Sequence, residues 1–444
     1  MTCWTLAILA TLALDGPDAP SMLVDRLGAP RFAEREAAAV ALRALGREAL
    51  PALREAREDS DEEVRSRSVA LVDQLEGELL VGPTMIRLDG TPRTIAATFA
   101  EVARQGRLSL NLMPENSPMW VDRTIAPARD GAIPFWAAVD VLCAEAKVQP
   151  ILSAQGFGAG VRAAGLNFRP GEPSMTPPRS DGGPFRVQLN ALHHNRGRSF
   201  APPAADAAGV VADSLYAELQ VTAEPRMSIL SLGALRLTEA TDDLGQSLMA
   251  TAAAPGRTYV TAGMSAPGAL THAFAAILKS PERPSKTLRR LLGTLPVVVS
   301  ARRDEATVVD LKDAKGKTFR ASDSVLVVNE FKPSAKDPAA TTIDVSLRPA
   351  LAAGGPSTNG RFLAGEVGYR PMIFHGGQFE ILDARDRPYP AWTPSSQQFG
   401  PEESRFVVSL SPPRNLGPPA KIRFFDTIRA STEIRFDLRD VPLP

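Results

Sequence analysis

The chain has 444 residues, too many for a single hydrophobic core, and its 44% hydrophobic and 23% charged residues match globular domains. Lys+Arg and Asp+Glu stand at 50 each, so no global basic field favours nucleic acid or acidic lipid. Only nine of the cations are lysines, and the 39 prolines and 33 glycines gather after residue 150, predicting turn-rich β structure there. The chain opens on the apolar run 4–14, shorter than the roughly 20 residues a bilayer span needs. With "DGPDAP" behind it and Ala13 or Ala19 near a cleavage point, it matches the core of an export signal. Residues 1–20 are therefore expected to be a signal peptide, with the mature chain starting between 14 and 21 in the periplasm or outside the cell. Cys3 precedes the run, which argues against lipid attachment. Cys143 is the other cysteine, and one thiol makes neither a disulfide nor a metal cluster, so no stoichiometric zinc or iron and no cofactor is expected. No later run reaches transmembrane length, so no integral membrane span is expected.

Residues 21–80 read as helices. In "RFAEREAAAVALRALG", Ala38, Ala41, Leu42 and Leu45 share a face and Gly46 is the stop. "EALPALREARED" follows with Pro51 in its first turn. Ser60 and Glu63 have capping-box spacing before a helix that buries Val64, Leu71, Val72, Leu75 and Leu79. The Ala and Leu pattern, the central Pro and the Asp-x-x-Val-Arg of "DSDEEVRSRSVALVDQL" resemble a HEAT-like helical repeat, covering about one and a half repeats.

Residues 84–152 read as a separate βαββαβ unit. "MIRLDG" is a strand, and Thr91-Pro92 starts a helix with Ile95, Phe99, Val102 and Ala103 on one face. "RLSLNLM" and "MWVDRTIA" are strands. Pro134 opens a helix carrying Phe135, Val139, Leu142 and Cys143, and "VQPIL" closes the unit. The segment "DGTPRTIAATFAEVARQGRLSLNL" resembles the short N-terminal module of secretins and TonB-dependent receptors. That resemblance implies a small α+β fold and a role in protein contacts at the periplasm or outer membrane.

Residues 153–183 combine Gly freedom with Pro stiffness and read as a linker, with 171–183 exposed, trypsin cutting first after Arg179, and 157–168 docked at most as an edge strand. Gly156, Gly158 and Gly160 fall short of a dinucleotide loop because Val161 stands where Gly is required. Beyond lie two β-rich regions, 184–300 and 301–444. Phe185, Val187 and Leu189 alternate with Arg186, Gln188 and Asn190; Leu215, Ala217, Leu219 and Val221 alternate with Tyr216, Glu218, Gln220 and Thr222. A period of two sends the first set into a core and the second into water. "TLRRLLG" at 287–293 reads as a short helix. Strand spacing in the last region suits β-sandwich-like domains. The fold class expected is α+β multidomain: helical repeat, small βαββαβ domain, then sandwich-like β domains.

Catalytic signatures are thin. His193 and His194 are neighbours on a strand and face opposite ways, so they cannot share a metal without a bend. His272 and His375 stand apart. "GMSAPG" around Ser265 misses the nucleophile-elbow spacing. Asp242 with Asp243, and Asp383 with Asp386, are candidates for calcium or for a glycosidase carboxylate pair, against the commoner role of building β-turns. Trp120, Trp136 and Trp392 are candidates for stacking on sugars, and Trp136, on a helix next to Phe135, reads as core. Trp392, in "RPYPAWTP" with Tyr389, is the best candidate for stacking on a ligand such as an envelope glycan. The function expected is an exported, non-enzymatic binding or structural protein of the bacterial envelope with a protein partner. The alternatives are a carboxylate-dependent glycan or peptide hydrolase and a carbohydrate-binding module.

Overall fold

The computed structural model describes residues 19–152, 165–172, 176–198, 211–250, 270–320, 324–333, 340–349, 379–389, 394–399, 403–413 and 415–444. It is a mixed α and β protein with several sheets, and it divides into two compact units, Met1–Leu79 and Leu80–Pro444.

The described part of the first unit is helical: α1 (Pro20–Asp25), α2 (Phe32–Leu45), α3 (Leu50–Glu55) and α4 (Glu62–Val81). Leu27, Ala38, Leu42, Leu53, Val64, Val72 and Leu75 form its core. Gly46 ends α2 at φ +57, a conformation that costs glycine nothing. The cap of α4 is one residue later than the capping-box reading. Asp61 Oδ1 accepts from the backbone N–H of Glu63 (2.8 Å) and Val64 (3.3 Å), because the carboxylate answers those donors and the helix dipole together.

The second unit begins with β1 (Met85–Asp89), β2 (Arg93–Thr94), α5 (Ile95–Gly106), β3 (Leu110–Leu112), α6 (Met119–Asp122), β4 (Thr124–Ile125), β5 (Ala128–Pro134), α7 (Phe135–Ala146) and β6 (Val148–Ile151). Helix α5 starts at Ile95 rather than at Pro92, since the Thr94 hydroxyl caps it by accepting from Ala97 N. "MWVD" is one helical turn, not a strand; it buries Trp120, whose Nε1 donates to Pro114 O at 2.7 Å. The expected linker contributes β7 (Leu166–Pro170), which is the middle strand of the sheet β3-β7-β6. Leu166 and Phe168 explain it: both are buried, and Phe168 meets Phe99 edge to face at 4.8 Å.

Two pairs of facing sheets follow. The first comprises β8 (Arg179–Gly182), β9 (Phe185–Arg198), β10 (Val211–Ala223), β11 (Ser228–Leu232), β12 (Arg236–Asp242) and β13 (Thr271–Leu278). The second comprises β15 (Thr318–Arg320), β16 (Ser324–Pro333), β17 (Thr341–Pro349), β18 (Phe379–Asp383), β19 (Pro394–Phe399) and β20 (Ser404–Leu410). Two strands of 24 residues, β14 (Thr287–Asp310) and β21 (Pro419–Pro442), pair antiparallel along their length and serve both. Leu291, Leu295 and Val299 with Ile434, Phe436 and Leu438 enter the first core; Val309 with Ile422 and Phe424 enters the second. Position 300, expected to separate two domains, thus lies inside a continuous strand. "TLRRLLG" is the start of that strand, because pairing with β12 and β21 outweighs its helical leucine spacing.

The two sheet pairs are repeats of one design. Their orders match, β13-β10-β9 in the first and β20-β17-β16 in the second. In β9 the unpaired bulge residue is Asn190, between Leu189 opposite Leu219 and Ala191 opposite Glu218. In β16 it is Asn329, between Val328 opposite Val345 and Glu330 opposite Asp344. Each bulged Asn donates from Nδ2 to the residue after the bulge on the partner strand, Gln220 (3.2 Å) or Ser346 (2.9 Å). On the next strand Phe274 faces Leu219 and Phe406 faces Val345. Each repeat ends in a long strand whose far half completes the other repeat.

The alternation of β9 and β10 is only half right about water. Arg186, Gln188, Gln220 and Thr222 lie on the outer face yet are buried. Helix α7 and its neighbours cover that face. Arg186 is 1% exposed and stacks over the Trp136 ring at 4.7 Å; it donates to Asp140 (2.9 Å), Asp181 (2.7 Å) and Trp136 O (3.2 Å). Trp136 Nε1 donates to Pro184 O, and Gln220 Nε2 to Leu152 O. The fully buried Glu224 carboxylate accepts from Thr84 N and Oγ1 and from Arg226, which also reaches Gly82 O. These bonds clamp the 82–152 segment to the first sheet pair.

Candidate functional site

The same segment carries an open two-stranded ribbon, β1–β5. Ile86 and Leu88 turn inward onto the core with α5, while Met85, Arg87 and Asp89 are exposed, as alternation requires. Arg87 pairs with Ala132 and Asp89 with Ala128, so residues 129–131 bulge, with Gly131 at φ +71. Between the strands lies an open recess of ≈ 590 Å³, walled by Arg87, Leu88, Asp89, Arg129, Asp130 and Gly131 among others.

The charges around it are not equally engaged. Arg93 grips Asp89 with two bonds of 2.9 and 2.8 Å and, with Thr91 N, holds that carboxyl well below the usual range. Arg104 does the same to Glu101, which is pulled down to about 2. The guanidinium groups of Arg87 and Arg129 have no carboxylate partner among the described residues; Arg129 Nη1 donates to its neighbour's carbonyl, Ala128 O, at 3.0 Å. The recess therefore presents two guanidinium groups without an ion pair among the described residues, beside one such carboxylate, Asp130. Sequence reading missed both, since their freedom depends on Arg93, rather than Arg87, taking Asp89.

The residues singled out by sequence are placed elsewhere. Trp392, His375, Ser265 and the glycines at 156, 158 and 160 lie outside the described residues. Tyr389 is 7% exposed, inside the second core, with its hydroxyl donating to Gly417 O at 2.6 Å. The two Asp pairs build turns. Asp242 Oδ1 accepts from Leu244 N and Gln246 N, and Gln246 Nε2 reaches Oδ2. Asp383 Oδ1 accepts from Arg385 N and Arg387 N, and Arg387 Nε reaches Oδ2. Both loops also close with a backbone bond from the Asp N–H to the residue four ahead. The same loop made twice, once per repeat, is a structural part. Asp243 accepts from Lys286 N, and Asp386 pairs with Lys421.

His193 stacks on Tyr216 at 4.5 Å and reaches Glu218 at 3.3 Å; His194 reaches Asp213 at 2.7 Å from the other face of β9. Ser280 Oγ donates to the same Asp213 oxygen at 2.5 Å, and Asp213 is pulled down to about 2 by Ser280, His194 and Arg196. A serine nucleophile needs its proton on the imidazole, with the carboxylate on the other ring nitrogen. Here Asp213 holds both the hydroxyl and Nε2, and the hydroxyl is 3.4 Å from that nitrogen. This trio is a hydrogen-bonded clasp at the sheet margin. Cys143 on α7 is half-buried, and burial pushes its thiol up to about 12, so it is no nucleophile. No group of three or more His, Cys, Asp or Glu among the described residues is arranged to hold a metal. No helix among them is long and apolar enough to cross a membrane. Comparison with protein-family models, curated proteins and solved structures finds no match.

Proposed function

We propose that the chain is an exported, non-enzymatic binding or structural protein of the bacterial cell envelope that works through protein–protein contacts. The observation that carries this is the open β1–β5 recess. It holds two arginines without an ion pair among the described residues, on a segment tied to a large β scaffold by Arg186 and Glu224. Exposed charges presented on a scaffold suit recognition of a partner of complementary charge. Asp242, Asp383, His193 and His194, weighed as ligands or catalysts, are engaged in turns and clasps, which supports the same reading. Export rests on the apolar run 4–14. In this reading the helices form a HEAT-like segment, 84–152 a module like that of secretins and TonB-dependent receptors, and the two sheet pairs β-sandwich-like domains.

Chemical cross-linking in the native host, followed by fractionation and mass spectrometry of the adducts, tests it. The reading expects specific protein adducts in the envelope fraction and no turnover of cell-wall glycan or peptide by the purified chain. Turnover, or a chain recovered without adducts, contradicts it.

A further inference from the structure

Resting on the protein-contact reading, we propose that the open side of the β1–β5 ribbon accepts an extended acidic segment of a partner protein as an added strand. The two edges of this ribbon are treated differently. On β1, the Gln105 side-chain amide stands where a neighbouring strand's peptide would: its Oε1 accepts from Arg87 N at 2.8 Å and its Nε2 donates to Arg87 O at 3.1 Å. That edge is closed. Because the Arg87 backbone groups point to Gln105, Arg87 and Ala132 are a pair without mutual hydrogen bonds, so Ala132 N–H and C=O point away from β1. No described strand pairs with β5 on that side, and Ala132 is exposed. Main-chain bonds to Ala132 supply affinity in strand addition, and side-chain contacts at alternate residues supply specificity.

The charges select the occupant. Arg87 and Arg129 are the free cations of the recess, and Asp89 is neutralised by Arg93. Asp130, on the bulge, is the one opposing charge of the recess without an ion pair among the described residues, and it sets where an acidic side chain cannot sit. Residues two apart on an extended strand lie about 7 Å apart on one face, so alternating carboxylates can serve both guanidinium groups. Pro134 offers no N–H and limits the added strand to a short one.

The test titrates the full chain against a fluorescein-labelled octapeptide of alternating Thr and Glu, read by anisotropy at low salt. An octapeptide of alternating Thr and Lys and inorganic phosphate serve as comparators. Saturable binding of the Glu peptide alone is expected. The pair Arg87→Glu with Arg129→Glu should weaken it about tenfold or more, the loss that charge-assisted hydrogen bonds imply. Ala132→Pro removes the outward N–H without touching the β1–β5 ladder; it should also weaken binding about tenfold, with unchanged circular dichroism and Tm. Absent binding, wild-type affinity in both variants, or an unaffected Ala132→Pro with full competition by phosphate overturns strand addition. If envelope adducts persist despite such a result, the contact surface lies elsewhere; if they are also missing, the protein-contact reading falls with it.

Discussion

Asp242 and Asp383 show how a residue's role is settled inside one molecule. Each accepts main-chain N–H groups two and four residues ahead, and the αL position of the loop is Gly245 in one copy and Asp386 in the other. Asp242→Ala should therefore cost about 2–3 kcal/mol in urea unfolding, the penalty of orphaned buried donors. Gly245→Ala, where a Cβ meets nothing, should cost about 1 kcal/mol from φ alone, while Asp386→Gly should not destabilise. His272 adds a pH dependence. Its Nε2 lies 3.1 Å from Ile229 O, and burial pulls the imidazole down from 6.5 to about 4. The folded state binds its proton less readily than the unfolded one. Its contribution is thus complete above pH 6.5 and is lost as pH falls towards 4. The loss is on the order of 2–3 kcal/mol. Unfolding curves at pH 7 and 4.5 should show that loss in the wild type and much less of it in His272→Gln.

At the scale of elements, the clamp between α7 and β9 shows what local pattern can and cannot say. The period-two alternation of Leu215, Ala217, Leu219 and Val221 was legible, and all four are buried. The burial of Arg186, Gln188, Gln220 and Thr222 was not, because it depends on which element covers the outer face. Strand β7 was expected at most as an edge strand and is a central one for a related reason: a Gly- and Pro-rich neighbourhood hid the weight of Leu166 and Phe168, whose partners lie far away in sequence. The start of β14 reads as helix by its leucines and is a strand by its partners. Arg186→Met should destabilise by about 3 kcal/mol, since Asp140 and Asp181 lose the cation they surround. In the same variant Cys143, already slow towards iodoacetamide, should alkylate more slowly still, because Arg186 is one of the charges that favour its thiolate.

For the whole molecule, the shared β14–β21 ribbon makes the two repeats mutually dependent, so unfolding of the β half should be a single transition rather than two. Arg179 opens β8, paired with β9 and bonded to Asp140, and should resist trypsin. The recess on β1–β5 was invisible in the sequence, because nothing local says that Gln105 closes one edge and leaves the other open. Its role in partner contact is the centre of the functional account. A photo-crosslinking amino acid placed at position 128, an exposed wall of the recess, in the native host addresses it directly, with position 308, an exposed site on β14, as control. The account predicts a protein adduct from position 128 that is abolished by excess Thr/Glu octapeptide and absent from position 308. Equal labelling at both positions, or an adduct the peptide leaves intact, would contradict it.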